Sequence, residues 1–230
     1  MIFIGSGSPL CKAVLFANQL NCTIDAVCCP KGDLALTQLK DLDIFLVEVD
    51  DLNQELQDLL PYCEDQLIFS INNKFIISDD LLSQGPNFYN IHAGLIQEYR
   101  GIAEICILAA LSKGASEYGV TLHQLKAGNA VDSGPVIDQL RISIESSDTF
   151  GSLMGKSLDA CQAIFEKNLP SLTNGTLRSY EVDLAENIYT YKDALDILSK
   201  PINSENANLM DLEGYEIFFP RLSTLINTLR

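Results

Sequence analysis

The chain has 230 residues, of which 47% are hydrophobic, and its 15 basic and 31 acidic residues give a formal net charge of −16. This length suits one compact domain, or one large domain with a small appendage, that needs neither disulfides nor a structural metal for stability. So acidic a chain repels the phosphates of nucleic acids and anionic membrane surfaces, and neither is expected as a partner.

The cysteine pattern indicates a reducing compartment. Seven cysteines are scattered through apolar runs with no Cys-x-x-Cys pair, and the chain has two histidines. The odd count and the apolar surroundings predict reduced, buried thiols in a cytoplasmic protein. Two histidines cannot complete most zinc sites, so no metal is expected. The first residues lack the basic start and long apolar core of a signal peptide, and no apolar run reaches membrane-spanning length.

The first half of the chain alternates short apolar runs with helical patterns. It predicts strands at residues 1–4, 23–29, 44–49 and 66–71, and helices at residues 10–20 and from Asp50 onward. Between the first strand and the first helix lies the turn Gly5, Ser6, Gly7 and Ser8, which resembles the opening of a nucleotide-fold βαβ unit and can face a phosphate. The turn lacks the third glycine of the dinucleotide fingerprint. This argues against an NAD-dependent oxidoreductase and leaves a purely structural turn as an open alternative.

The second half continues the alternation. It predicts strands at residues 88–92, 119–123 and 135–144, and helices at residues 102–113 and from a cap at residues 147–149 to about residue 168. Apolar strands separated by helices predict the α/β class, here a Rossmann-like, doubly wound, mostly parallel sheet with helices on both faces. Residues 1–170 are expected to form the main domain, and residues 171–230 a small C-terminal subdomain or linker region.

Three polar side chains are candidates for chemistry. Asn90 and His92 stand two residues apart in a predicted strand, so they share one face near its carboxyl end, where open α/β sheets bind ligands. An amide can donate to an oxygen that gains charge, and an imidazole can carry a proton near pH 7. Asp132 lies in a loop of small residues between two predicted strands, so its carboxylate can return to the same edge and orient the imidazole. Together these groups can stabilise a tetrahedral oxyanion and move a proton during acyl transfer.

Four short stretches in chain order resemble a known family. They are Asn90-Ile91-His92, Tyr99-Arg100-Gly101, Gly119-Val120-Thr121-Leu122-His123 and Asp132-Ser133-Gly134. Over roughly residues 1–168 the chain is similar to the formyltransferases that use 10-formyltetrahydrofolate. That family includes methionyl-tRNA formyltransferase, glycinamide ribonucleotide formyltransferase, sugar N-formyltransferases and the formylation domains of peptide synthetases.

The resemblance implies a reaction and a role for each residue. An acceptor amine attacks the formyl carbon of 10-formyltetrahydrofolate. Asn90 holds the formyl oxygen, His92 stabilises the charge on it and takes part in proton transfer, and Asp132 sets the charge state of His92 and helps relay the amine proton. The family requires no metal.

The resemblance also implies where the donor binds. In this family the pterin of the folate occupies a pocket of backbone groups, whose walls correspond here to Lys74, Phe75, Ile76 and Ile77 and to Asn129, Ala130 and Val131, with Leu95 and Ile96 nearby. Where the family usually continues from its histidine into Pro-Ser-Leu-Leu-Pro, this chain has Ala93-Gly94-Leu95-Ile96-Gln97. The second proline is absent, so we expect a reshaped loop. His123 is expected to have a structural role, and Arg100 either closes a salt bridge or binds substrate.

The acceptor is left open among several amines. The transfer RNA enzyme has an additional C-terminal nucleic-acid-binding domain, whereas residues 171–230 here are few and not basic. The Gly5–Ser8 turn is similar to the phosphate-holding turn of the glycinamide ribonucleotide enzyme, but that enzyme ends soon after its core. An aromatic, acidic tail fits better with an amino-sugar nucleotide or a carrier-tethered aminoacyl group, in a homodimer or an excised synthetase domain. A non-catalytic folate- or nucleotide-binding module is the remaining alternative, and the complete Asn, His and Asp set argues against it.

Overall fold

The computed structural model describes residues 1–199 together with Pro220, Arg221 and Thr224. Its strands are β1 (Ile2–Gly5), β2 (Ala26–Pro30), β3 (Leu46–Val49), β4 (Leu67–Ile71), β5 (Asn87–His92), β6 (Arg100–Gly101), β7 (Glu117–Leu125), β8 (Val136–Ser143) and β9 (Ile188–Tyr189). Its helices are α1 (Gly7–Gln19), α2 (Ala35–Gln38), α3 (Leu52–Leu59), α4 (Asp79–Leu82), α5 (Ala103–Ser112), α6 (Phe150–Thr173) and α7 (Tyr191–Ser199). None of the helices in the described part of the chain combines the length and apolar character needed to cross a bilayer.

The main sheet has the order β3-β2-β1-β4-β5-β7-β8. The pairs β3–β2, β2–β1, β1–β4 and β4–β5 are parallel. The chain winds outward from β1 to β3 and then returns to place β4 on the other side of β1. Ligands of doubly wound sheets bind at the carboxyl ends of the strands near this change of direction. The predicted Rossmann-like, mostly parallel α/β fold is therefore confirmed.

Several element boundaries differ from the prediction. The short elements α2, α4, β6 and β9 were not predicted, because two to four residues carry too little periodicity. Helix α6 was predicted to end near residue 168, and this was wrong, because the helix continues through Pro170 to Thr173. Proline removes one ladder hydrogen bond, but Leu169 and Leu172 remain buried beside it and hold the last turn in place. The proposed boundary at residue 170 stays a prediction, since residues 200–219, 222–223 and 225–230 lie outside the described part of the chain.

The chain divides into two compact units. Unit 1 comprises Met1–His92, Leu122–Asp138 and Cys161–Glu181, and unit 2 comprises Ala93–Thr121, Gln139–Ala160 and the described residues from Val182 onward.

Aromatic rings organise the core of unit 1. Phe3 of β1 and Phe69 of β4 stack with ring centroids 5.4 Å apart, and Phe165 of α6 meets Phe69 edge-on at 5.4 Å. All three side chains are fully buried, and burial of each contributes about 1.5–3 kcal/mol. These contacts hold the two central strands and the second half of α6 together, which provides a rigid base for residues at the strand ends.

Unit 2 is built around α5, a helix that is buried from Ile105 to Leu111. The Lys113 ammonium donates a 2.7 Å hydrogen bond to the Tyr189 hydroxyl. The same ammonium lies 5.5 Å from the centre of the Tyr99 ring and 5.4 Å from that of Tyr189, within cation–π range. Strand β9, which contains Tyr189, pairs in parallel with β6. The segment after Val182 is thereby joined to the rest of unit 2.

Candidate active site

Strand β5 brings two of the predicted residues to the edge of the sheet. Its register with β4 pairs Asn90 with Ser70 and Ile91 with Ile71, so Asn90 and His92 lie at the carboxyl ends of parallel strands. The alternation of a strand places both side chains on the same face, as predicted. Asn90 is half-buried and His92 is 5% exposed. A partly desolvated amide and imidazole therefore stand side by side at this edge.

The loop that carries Asp132 approaches the same edge because of its small residues. A Cβ on Gly134 would lie 1.6 Å from the carbonyl oxygen of Gln124, so only glycine lets the loop pass this close to β7. The Gln124 N–H donates to the Pro135 carbonyl at 2.9 Å and secures the approach. Asp132 has a φ of 48°, in the left-handed region that aspartate and asparagine enter more readily than most residues. The backbone conformation thus turns the carboxylate inward, and Asp132 is 8% exposed.

The carboxylate of Asp132 contacts both β5 residues. Its Oδ2 lies 3.5 Å from His92 Nδ1, and its Oδ1 lies 3.5 Å from Asn90 Nδ2. These are long contacts, as is common for catalytic groups before substrates bind. The three residues that the sequence singled out come together in unit 1.

His123 is a fourth member of this cluster, although the sequence assigned it only a structural role. Its Nε2 lies 3.2 Å from Asn90 Nδ2 and 3.7 Å from Asp132 Oδ1. The side chain is fully buried, and its Nδ1 has no hydrogen-bond partner among the described residues. The sequence signal was present in the Gly-Val-Thr-x-His stretch. The nearness of His123 to Asn90 depends on β7 lying beside β5 in the sheet, and no local sequence pattern predicts that strand order.

One predicted wall of the donor pocket is a braced loop. Lys74 is exposed, Phe75 is half-buried and Ile77 is buried, whereas the apolar side chain of Ile76 is 77% exposed. Asn53 of α3 donates to the Ile76 carbonyl at 3.0 Å and accepts from the Ser78 N–H at 2.8 Å. The loop therefore holds an apolar side chain in solvent on a fixed backbone.

The second predicted wall is tied to the first. Asn129, Ala130 and Val131 are exposed, and Val131 keeps 46% of its surface in solvent. The Gly128 N–H donates a 3.0 Å hydrogen bond to the Asp79 carboxylate at the start of α4, directly after the first wall. Both predicted walls thus belong to unit 1 and are joined by a hydrogen bond to a charged group.

Three further predicted residues lie in unit 2. Leu95 and Ile96 are fully buried, and their part in donor binding stays a prediction. Arg100 is 5% exposed, and its Nη1 donates to the Ala185 carbonyl at 2.7 Å. The Ala185 N–H in turn donates to the Ile96 carbonyl at 3.2 Å. Arg100 therefore has a structural contact, and its predicted contact with substrate is untested.

The Gly5–Ser8 turn is closely packed. Gly5 has a φ of 153°, and a Cβ there would lie 1.8 Å from the Ile71 carbonyl oxygen, so the close approach of β1 and β4 requires glycine. The Ser6 hydroxyl donates to the Asn72 carbonyl at 2.7 Å. The Gly7 N–H donates to both oxygens of the Asp33 carboxylate, at 3.0 and 3.1 Å. Two polar groups of the predicted phosphate turn are therefore engaged within the protein.

The fold and the cluster define a Rossmann-like α/β protein whose amide, imidazole and carboxylate groups suit acyl transfer. A family model described as formyl transferase matches residues 36–169, which is more than half of the chain. The chain belongs to the formyl transferase family, and it is a formyltransferase.

Solved structures share the fold. A 4-N formyltransferase from Francisella tularensis has a TM-score of 0.72 at 18% identity, over 90% of this chain and 84% of that one. An N-formyltransferase from Helicobacter canadensis, in complex with folinic acid and dTDP-3-aminofucose, has a TM-score of 0.67 at 20% identity, over 84% and 71%. The phosphoribosylglycinamide formyltransferase of Coxiella burnetii has a TM-score of 0.67 at 24% identity, over 79% and 90%. At these identities the likeness is one of fold.

Proposed function

We propose that this formyltransferase uses 10-formyltetrahydrofolate as its donor and a primary amine as its acceptor, either an amino-sugar nucleotide or a carrier-tethered aminoacyl group. The observation that carries the proposal is the Asp132 carboxylate, which contacts both His92 and Asn90 at the carboxyl end of β5. Formyl transfer to nitrogen requires a hydrogen-bond donor for the oxyanion, a group that carries the proton and a fixed anion. Asn90, His92 and Asp132 would supply these at one edge of the sheet.

Asn90 would act on the formyl oxygen. During attack this oxygen gains negative charge, and a preorganised amide N–H stabilises that charge more than it stabilises the ground state. The Asn90 Nδ2 atom is held between Asp132 Oδ1 and His123 Nε2. The amide orientation is therefore set before the substrates bind, and the N–H in the long 3.5 Å contact with Asp132 is the one that would turn to the formyl oxygen.

His92 and Asp132 would manage the proton. The amine nitrogen bonds to the formyl carbon, the bond from that carbon to the donor nitrogen breaks, and one proton passes from the amine to the donor nitrogen. The products are a formamide and tetrahydrofolate. The contact of Asp132 with Nδ1 of His92 orients the ring, so the imidazole can carry the proton or stabilise the oxyanion.

The residues of the two predicted walls fit a folate. Ile76 and Val131 expose apolar surface on loops joined by the Gly128–Asp79 hydrogen bond. A flat pterin gains from apolar contact on its faces and from backbone groups at its polar edge. The folate supplies the formyl group, while Lys74–Ile77 and Asn129–Val131 are proposed to bind and orient it.

The acceptor class is supported by likeness of fold and by the chain itself. The Helicobacter canadensis structure contains a dTDP-amino sugar together with folinic acid. The formal net charge of −16 disfavours a polyanionic transfer RNA as acceptor. We further propose a homodimer or attachment to a larger synthetase as the setting of this chain.

Cysteine chemistry supports a cytoplasmic location. No disulfide joins any of the seven cysteines. Burial raises the pKa of Cys28 to about 12 and that of Cys161 to about 12, so these thiols stay protonated and unreactive. Thiols of this kind suit a compartment that keeps cysteines reduced.

The test is a transfer assay read by mass spectrometry. The protein is incubated with 10-formyltetrahydrofolate and a panel of amino-sugar nucleotides and aminoacyl carriers, with donor-free reactions as controls. The expected result is a gain of one formyl group on at least one amine, abolished in His92→Ala. Equal transfer by wild type and His92→Ala would overturn the assignment of the site.

A further inference from the structure

The N-terminus of α1 already holds an anion that belongs to the protein. Gly7 is the first residue of the helix, and its N–H donates to both oxygens of Asp33 at 3.0 and 3.1 Å. Asp33 Oδ1 also accepts from the Ala35 N–H at 2.9 Å, which fixes the carboxylate from its own side of the contact. A carboxylate here satisfies the positive end of the helix dipole in the way a bound phosphate would.

The other groups of the turn are poorly suited to a second anion. The Ser6 hydroxyl donates to the Asn72 carbonyl at 2.7 Å, and the Asn72 amide donates back to the Ser6 carbonyl at 3.1 Å. Pro9, in the first turn of α1, has no N–H to offer. A phosphate at this helix would have to displace Asp33 and would still find fewer donors than a phosphate-binding turn provides.

Asp33 has no cationic partner in the described part of the chain, where none of the ion pairs includes it. Burial first, and then the charge of Asp33, raises the pKa of the Cys11 thiol to about 11, and the same two causes lead in raising that of Cys29 to about 11. A phosphate placed beside the Gly7 N–H would therefore meet a full negative charge at short range.

We propose that Asp33 determines acceptor selectivity by excluding phosphate from the N-terminus of α1, so that the enzyme takes an amine that brings no phosphate to this turn. A phosphoribosyl amine held there by its phosphate is thereby disfavoured. This inference rests on the proposed function, because that proposal identifies the reaction. It also narrows the earlier prediction for the Gly5–Ser8 turn: the turn could still contact the substrate, but it would not bind a phosphate group of the substrate.

The test measures phosphate binding without the reaction. Inorganic phosphate is titrated into nitrogen-15-labelled wild-type protein, Asp33→Asn and Asp33→Ser, and the amide signals of Gly7 and its neighbours are followed by NMR. Both variants remove the charge, and both Asn and Ser keep a short side chain that can accept a hydrogen bond. Two variants are used so that the test can proceed with one if the other folds poorly. Asp51→Asn is the matched control, because Asp51 caps α3 by accepting from the Asn53 and Gln54 N–H groups. Constant ionic strength separates specific binding from screening.

We expect no saturable change at Gly7 in wild type or Asp51→Asn, and roughly tenfold or greater gain in phosphate affinity in the folded Asp33 variants. Saturable binding at Gly7 in wild type would overturn the inference, as would Asp33 variants that fold but do not gain affinity. Formyl transfer is assayed separately with wild-type protein and an acceptor that carries no phosphate monoester. Failure of that assay counts against the proposed function and leaves the phosphate measurement interpretable.

Discussion

Asp132 reaches His92 and Asn90 with different oxygen atoms, Oδ2 at 3.5 Å from the imidazole Nδ1 and Oδ1 at 3.5 Å from the amide Nδ2. One carboxylate therefore orients both the group proposed to move the proton and the group proposed to hold the oxyanion. The two functions are coupled through a single residue, and changes at Asp132 are expected to affect both.

Replacing His92 with alanine is expected to remove transfer. Loss of a general acid–base group and of oxyanion support lowers kcat/KM by about 10²–10⁴-fold. The fold is expected to survive, since the residue ends β5 at the edge of the sheet, and circular dichroism checks this. Asn87→Ala is the control, because Asn87 begins the same strand and its side-chain oxygen accepts a 2.9 Å hydrogen bond from the Gln124 amide, away from the cluster. Activity close to wild type in His92→Ala would remove this residue from the mechanism.

Asp132→Asn tests the charge without changing the shape. Asparagine accepts the left-handed backbone at this position, so the loop is expected to keep its conformation. Transfer is expected to fall by at least about 10²-fold, because the neutral side chain no longer presents a carboxylate that orients His92 and assists the proton transfer. The measurement is kcat against pH, with thermal unfolding as the check on stability. An unchanged pH profile with unchanged kcat would show that the carboxylate charge has no part in the reaction.

His123 is expected to act as a positioning residue for Asn90. Single variants His123→Ala and Asn90→Ala and the double variant form a cycle in which kcat is measured at saturating substrates. Residues in one contact network are expected to show a coupling energy of about 0.5–3 kcal/mol, so the double variant should lose less than the two singles predict. Strict additivity would mean that His123 only supports the fold, and the melting temperature of each variant separates loss of stability from loss of positioning.

Asp79→Ala tests the link between the two proposed walls of the donor pocket. The variant removes the acceptor of the Gly128 N–H, a hydrogen bond to a charged group. Because this bond is exposed, its loss is expected to cost about 1 kcal/mol or less and to raise the donor KM by about fivefold at most, with kcat little changed. Asp80→Ala, at the adjacent exposed position of α4, is the matched control. A donor KM equal to that of the control would show that the Gly128–Asp79 hydrogen bond has no role in folate binding.

Asp148 predicts a pH dependence of stability. Burial acts to raise the pKa of this carboxyl, but hydrogen bonds from Lys156, Glu145 and Ser152 outweigh burial and hold the pKa below its ordinary value. Stability from a depressed carboxyl pKa is present above the ordinary value of about 4 and is lost as pH falls through the folded pKa. Asp148→Asn is therefore expected to unfold more easily than wild type at pH 7, with the difference in free energy of unfolding shrinking toward pH 3. A pH-independent difference would show that the charge is not responsible.

The sequence predicted features that depend on local patterns, but it did not predict contacts that depend on the order of strands in the sheet. Period-two alternation was enough to predict that Asn90 and His92 share a face, and the small residues around Asp132 were enough to predict a close return of its loop. His123 was assigned a structural role because its nearness to Asn90 depends on the order of strands across the sheet. The Asp33–Gly7 contact was not predicted for a related reason. The two residues are 26 positions apart, and no sequence motif links them.

The backbone at Asp132 limits how this site can change over time. A φ of 48° admits asparagine, aspartate and glycine at small energetic penalty, whereas most other residues would strain the loop. A descendant that abandoned formyl transfer while keeping its architecture would thus be expected to carry asparagine or glycine here. Asparagine or glycine at this position would therefore be a simple marker of relatives that have lost formyl transfer.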